Sequence, residues 1–202
     1  MKEIVLVGGG GHCRACIDVI EQQGLYTIAG IVDVADKRGS SVLGYAVFAT
    51  DNDLLDLINK YTYFLITLGQ IKRSDRRIEL FNVIYDNGGK LPAIVSPLAY
   101  VSKHTKIGHG TIIMHHALIN AGAVIGDNCI VNTKALIEHD VVIRNHCHMA
   151  TGSIVNGGVV IENGVFVGSG AVIRESILVG RNTTIGCNST VKQSVSPGSM
   201  LR

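Results

Sequence analysis

Tryptophan is absent from the 202 residues, aromatic side chains make up only 5% and prolines number three. Without large rings a core must be filled by aliphatic side chains, so most of the 47% hydrophobic share falls to Val, Ile, Leu and Ala. No sign of charge dominates. Eighteen basic and sixteen acidic residues leave a net +2 with no basic stripe, which sets nucleic acid aside as a partner. No apolar run is long enough to span a bilayer, and the run at Ile4–Val7 is too short for an export signal, so a cytoplasmic protein is expected. The five cysteines are an odd number, and structural disulfides are not expected. What is plentiful is glycine, 24 residues, which implies tight backbone recurring along the chain.

Residues 1–96 read as a small α/β domain. β-Branched runs at 3–7, 27–32, 45–48, 63–68 and 91–95 predict strands, and helical spacing at 12–23, 51–60 and 72–86 predicts helices, with Thr50 as an N-cap. Alternation of the two implies a parallel, Rossmann-like sheet. The loop Gly8-Gly9-Gly10-Gly11 follows the first strand and opens the first helix, a setting suited to phosphate at backbone N–H groups. It departs from the dinucleotide pattern G-x-G-x-x-G, because Cys13 or Arg14 stands where the last glycine belongs. Glycines that merely let strand and helix pack are the plainer reading. Cys13 and Cys16 form a Cys-x-x-Cys, but their place in the first helical turn suggests small apolar residues rather than a redox pair.

From Val101 the period becomes six. The first position of sixteen successive hexads, from Val101 to Val191, is always apolar, and fifteen of the sixteen are Val or Ile. The fifth position is small, only Ile177 exceeding valine, and the fourth is Gly, Asn or Asp in ten hexads, residues that accept positive φ. A large inward residue, a small corner residue and a turn every six describe a triangular parallel β-coil of eighteen residues per circuit. Residue n then lies over residue n + 18 at about 4.8 Å. Outward positions such as Ile112, Leu118, Val124, Ile130, Leu136, Ile154, Phe166 and Val172 are too apolar for a solvated exterior, and packing against sister copies would bury them. His146-Cys147-His148, and His109 with His115 and His116, lack a third ligand at the stacked offset, so no metal is expected. His104, His109, His115 and His116 are expected in solvent or at a seam between copies.

Steps such as Ile107-Gly, Ile125-Gly, Val167-Gly and Ile185-Gly resemble the hexapeptide-repeat acyltransferases, and with the segment Ile-Val-Leu-Val-Gly-Gly-Gly-Gly-His the chain resembles the sugar acyltransferases of the PglD and NeuD type. The resemblance implies that residues 97–202 coil left-handed as a β-helix, that acetyl-CoA is the co-substrate, and that the protein is a homotrimer with active sites between subunits. Within Asn132-Thr-Lys-Ala-Leu-Ile-Glu-His-Asp140, it assigns His139 as general base, oriented by Asp140. It gives the Gly157 N–H the oxyanion role and places His148 on the acetyl-thioester or pantetheine. Gly10, Gly11 and His12, with Asp33, Gly69 and Gln70, would hold a nucleotide sugar. The residues themselves allow this chemistry: histidine titrates nearest neutrality, His139 holds an outward third position, and Gly157 lies eighteen residues on. From spacing alone a solvated surface histidine remains the plainer reading. The implied activity is N-acetylation of the 4-amino group of a nucleotide-linked 4-amino-4,6-dideoxy sugar. O-acetylation of sialic acid or another sugar is the alternative. From another class, a non-catalytic nucleotide-sugar-binding or scaffold protein is suggested by a tail, residues 196–202, that departs from the family's Gly-x-Pro-Ala-Lys-like pattern.

Overall fold

The computed structural model describes residues 1–71 and 74–202. In chain order its first part contains β1 (Lys2–Val7), α1 (Gly11–Gln23), β2 (Tyr26–Asp33), β3 (Ser41–Val42), β4 (Tyr45–Thr50), α2 (Leu54–Lys60), β5 (Tyr63–Ile66) and α3 (Asp75–Asp86). The sheet order is β3-β4-β2-β1-β5, parallel except between β3 and β4. Two expectations shift. The second helix opens as a 3₁₀ turn, Asp51–Asp53, because the Asp53 carboxylate reaches back to accept the Thr50 N–H at 2.8 Å. The third helix begins at Asp75, and residues 72 and 73, where its start was expected, lie outside the described residues.

The predicted strand at 91–95 does not join this sheet. Pro92 offers no N–H to a ladder, and Ile94–Val95 pairs instead with Ile112–Ile113 as the first rung of the second part. That part is a left-handed parallel β-helix of two-residue rungs arranged on three faces. The first face runs from Ile94–Val95 through His148–Met149 to Met200–Leu201, the second from Tyr100–Val101 to Thr190–Val191, and the third from Lys106–Ile107 to Leu178–Val179. From Ile94 to Val191 each rung pairs in parallel with the rung eighteen residues on, as in Leu118↔Leu136 and Val124↔Val142, and the last pairing, Thr184↔Met200, closes at sixteen. First and fifth positions together form one interior cluster, including Ala117, Ile119, Ala123, Cys129, Ile137 and Cys147. From Gly110 to Asn188 the fourth positions take positive φ even where His116, Lys134, His146 or Ser176 fills them, so there the turn is imposed by the coil rather than chosen by each residue. At the corners a side-chain ladder adds to the backbone rungs: the N–H groups of His109, Asp127 and Asn145 donate to Asp127, Asn145 and Asn163 at 2.7, 3.0 and 3.0 Å.

The first face is covered by the chain's own N-terminal part. Cys13, Cys16, Ile17 and Ile20 project from one side of α1 at helical spacing and pack with Ile94, Ile112, Met114 and Ile130. Burying each of the larger side chains contributes on the order of 1.5–3 kcal/mol. Ile112, Ile130 and Phe166, expected to need sister copies, are therefore buried within one chain. The other two faces stay open, with Leu118 37%, Val124 38% and Leu178 43% exposed.

Candidate active site

His139 stands on the corner between the second and third faces, its side chain 66% exposed, as the third-position reading expected. Asp140 takes the left-handed turn position at φ 58, which swings its carboxylate back toward the ring. His139 Nδ1 lies 3.0 Å from Asp140 Oδ2. With the proton on Nδ1 donated to Asp140, the Nε2 lone pair is left free. That hydrogen bond raises the His139 pKa above its ordinary value, with desolvation opposing it and the charges of Asp140 and Glu138 adding to it. Glu138 is itself anchored by Asn120 Nδ2 at 2.8 Å. One coil away, the ring of His139 lies over Gly157: a Cβ there would stand 2.6 Å from Nε2. The Gly157 carbonyl and the Gly158 N–H take part in rungs, whereas the Gly157 N–H has no partner among the described residues. The corner thus holds a base and an unspent amide donor side by side.

The glycine loop is shaped by constraints that fall on residues other than those singled out from sequence. At Gly8, φ is 110 and a Cβ would lie 2.6 Å from Leu68; at Gly9 it would lie 2.8 Å from Asp33 Oδ2. Around Gly10 and Gly11, nothing stands within 4 Å of an added Cβ, leaving open space at the start of α1. Asp33 ties the loop down. Its Oδ2 accepts the Gly9 N–H at 2.8 Å and Lys37 Nζ at 2.9 Å, and its Oδ1 accepts the Val34 N–H at 2.8 Å. Burial acts to raise its pKa, but Lys37 and the two N–H groups outweigh it and hold the carboxyl below its ordinary range. With three donors already on its oxygens, Asp33 has little capacity left for a ribose or base.

His12, the second residue of α1, lies beside Gly69, whose added Cβ would be 3.7 Å from the His12 Cβ. Its Nε2 is sealed from solvent without a hydrogen-bond partner. Burial, then the neighbouring His148 and Arg77, push its pKa down to about 3. Gln70 is 3% exposed and turned into the joint between the two parts, where its amide reaches Gly164 O at 3.4 Å.

His148 does not lie open to a coenzyme within the chain. It is 7% exposed on the covered first face, its Nδ1 donates to Gln70 O at 2.6 Å, and its Nε2 accepts from Asn132 Nδ2 at 3.2 Å. Phe166 packs edge-on to its ring, 5.3 Å between centroids, and burial lowers its pKa to about 4. The outward sixth position that suggested a contact surface is the one that α1 and the loop after β5 cover.

Two polar clusters had no signal in the sequence. Arg77 of α3, 2% exposed, donates to Gln70 Oε1 at 2.9 Å and to Asn128 O and Oδ1 at 2.8 and 3.0 Å. Separately, His115 bridges Asp18 of α1, at 2.7 Å from Nε2, and Ser96, at 2.6 Å from Nδ1. It is neither in free solvent nor left for a partner. Its partners lie 97 and 19 residues away, beyond the reach of local periodicity. Among the described residues no group of three His, Cys, Asp or Glu is arranged to hold a metal, and no helix is long and apolar enough to cross a membrane.

Residues 3–81 match the PglD N-terminal domain, and residues 104–139 and 158–193 match the bacterial transferase hexapeptide family of six repeats. No curated protein sequence matches the chain. Several solved structures do. A histidine-to-asparagine mutant of perosamine N-acetyltransferase from Caulobacter crescentus, in complex with CoA and GDP-perosamine, is 29% identical with a TM-score of 0.92, over 99% of this chain and 93% of that one. PerB from the same organism, with the same ligands, is 30% identical with a TM-score of 0.90 over 99% and 93%. The acetyltransferase domain of PglB from Neisseria gonorrhoeae, in complex with acetyl coenzyme A, is 27% identical with a TM-score of 0.90 over 98% and 95%.

Proposed function

Because this chain belongs to the hexapeptide-repeat sugar acyltransferases of the PglD and NeuD type, we propose that it transfers the acetyl group of acetyl-CoA to the 4-amino group of a nucleotide-linked 4-amino-4,6-dideoxy sugar. The observation that carries this reading is the corner where His139 Nε2, oriented through Nδ1 by Asp140, stands over Gly157. There His139 Nε2 takes the proton of the attacking amine as the new C–N bond forms. The Gly157 N–H donates to the carbonyl oxygen as negative charge gathers on it, and the coenzyme leaves as the thiol. At the other end of the substrate, the open N-terminus of α1 beside Gly10 and Gly11 suits the diphosphate. His12 and Gly69 line that loop, Asp33 acts by holding it in place, and Gln70 acts by holding the joint at His148 and Arg77 rather than as a free ligand.

The same geometry supports a homotrimer with active sites between subunits. Within one chain the glycine loop sits against the first face and His139 on the opposite corner, so the acceptor held by one copy meets the base of another. The exposed apolar side chains of the second and third faces, Leu118 and Val124 among them, provide the surface for that contact. All five cysteines are free, which fits a reducing, cytoplasmic setting.

The direct test is acetyl-CoA-dependent turnover by purified protein on UDP-, GDP- and dTDP-linked 4-amino sugars, with hydroxyl acceptors alongside. Acetylation of an amine, lost at least 100-fold in His139→Ala with the fold intact, is expected. Exclusive acetylation of hydroxyls, or full turnover by His139→Ala, sinks the reading.

A further inference from the structure

Among the described residues, the buried cation Arg77 is paired with no anion. Its guanidinium is held by an amide and by the carbonyl oxygens of Asn128, all neutral acceptors, and its Nε has no partner. Burial lowers its pKa to about 10. An uncompensated buried charge is costly, and such groups are ordinarily paired. Removing the charge would relieve that cost, so its presence points to a counter-ion that arrives from outside.

The surrounding chain of contacts shows where. From Arg77 the hydrogen bonds run to Gln70 at 2.9 Å, and from the Gln70 carbonyl to His148 at 2.6 Å. The His148 ring faces His12 at 6.4 Å between centroids, and His12 directly follows the glycine loop. Along this line two nitrogen atoms, Arg77 Nε and His12 Nε2, are sealed and unpartnered. The charge of Arg77 bears on both imidazoles and disfavours their protonation, which places it electrostatically close to the residue that follows the loop.

We propose that Arg77 is a positioning residue whose buried charge is completed by the diphosphate of the nucleotide sugar at the glycine loop, acting through space and through Gln70 rather than by contact. This rests on the nucleotide-sugar reading above. It assigns the preference for a doubly charged diphosphate to a residue outside the loop, on α3 in the joint between the two parts.

Charge and packing are separated by two variants of the full-length protein, Arg77→Lys and Arg77→Met, titrated calorimetrically with UDP, GDP and dTDP. Wild-type protein binds at least one of these diphosphates. Arg77→Met is expected to weaken that binding tenfold or more, equivalent to about 1.4 kcal/mol. Arg77→Lys, which keeps the charge but loses the fork to Asn128, lowers the melting temperature while holding the affinity within threefold, and KM for acetyl-CoA stays unchanged. Should Arg77→Met not fold, the lysine variant decides alone: a tenfold loss of diphosphate affinity there overturns the proposal. Wild-type affinity in Arg77→Met overturns it too while leaving the nucleotide-sugar reading intact. Wild-type protein that binds none of the three overturns that reading, and this proposal with it.

Discussion

Substituting Gly157 by alanine tests the corner geometry without touching a titratable group. The new Cβ would stand 2.6 Å from His139 Nε2, 2.7 Å from Cε1 and 3.3 Å from Cδ2. Carbon contacts settle near 3.5–4.0 Å, so the ring must retreat by about 1 Å. It can do so, since the side chain is 66% exposed and packs against little. Gly157 lies outside the left-handed region, so alanine is tolerated there by the backbone. Stability should change by under about 1 kcal/mol, or up to ~4 °C in melting temperature for a chain of this size. Displacing a catalytic group by 1 Å costs about 10²-fold in rate, roughly 2.7 kcal/mol of barrier. The assay is thiol release from acetyl-CoA with a saturating amino-sugar acceptor. Gly152→Ala is the matched control: its φ is 65 and nothing stands within 4 Å of an added Cβ. That variant should lose about 1–2 kcal/mol of stability and keep its turnover. Gly157→Ala with kcat within threefold of wild type would refute the placement of His139 over Gly157 as the site of chemistry.

Three further outcomes follow from the charges and faces. His139 works as a base only when neutral, and Asp140 raises its pKa, so kcat/KM should climb as pH rises through a value above 6.5; in Asp140→Asn that acid limb should move to lower pH, and an unmoved limb would count against the pair. His12 and His148 have folded pKa values of about 3 and 4, below the unfolded 6.5, so their neutral burial contributes fully above pH 6.5 and is lost as pH falls toward 4. Melting temperature should therefore drop across that window, and a flat profile would contradict the burial of both rings. Leu118→Glu with Val124→Glu should convert the proposed trimer to monomers by sedimentation and abolish turnover, and a trimer surviving both changes would place the contact elsewhere.

The β-helix was legible because its constraint is periodic. Ile119, Ile137 and Val155 announce an interior at every eighteenth residue, and Ala117, Ala123 and Cys129 announce the crowded corners. The stacking of His139 with Gly157 followed from that arithmetic. The joint between the two parts was not legible, because the partners of Gln70, Asp18 and Arg77 lie 78, 97 and 51 residues away in sequence and no repeat relates them. The burial of His148 was not legible for the same reason. Its sixth position is outward in the hexad, and only the docking of a separate domain turns it inward. The strand expected at 91–95 failed because pairing with Ile112–Ile113 continues the stack backward past the point where the period was first evident.

The corner contacts also determine how this architecture can change in length. Asp140 crowds Gly122, and Asn182 and Asn188 crowd Gly164 and Gly170, each glycine lying eighteen residues before the side chain above it. Loss or gain of one whole circuit would leave the rungs paired at the same offset, so the coil itself would still assemble. Excising residues 155–172, however, would bring Glu175 beneath His139 in place of Gly157. A change to which the backbone is indifferent would thus replace an amide donor with a carboxylate, and the enzyme's activity would be lost without any loss of its shape.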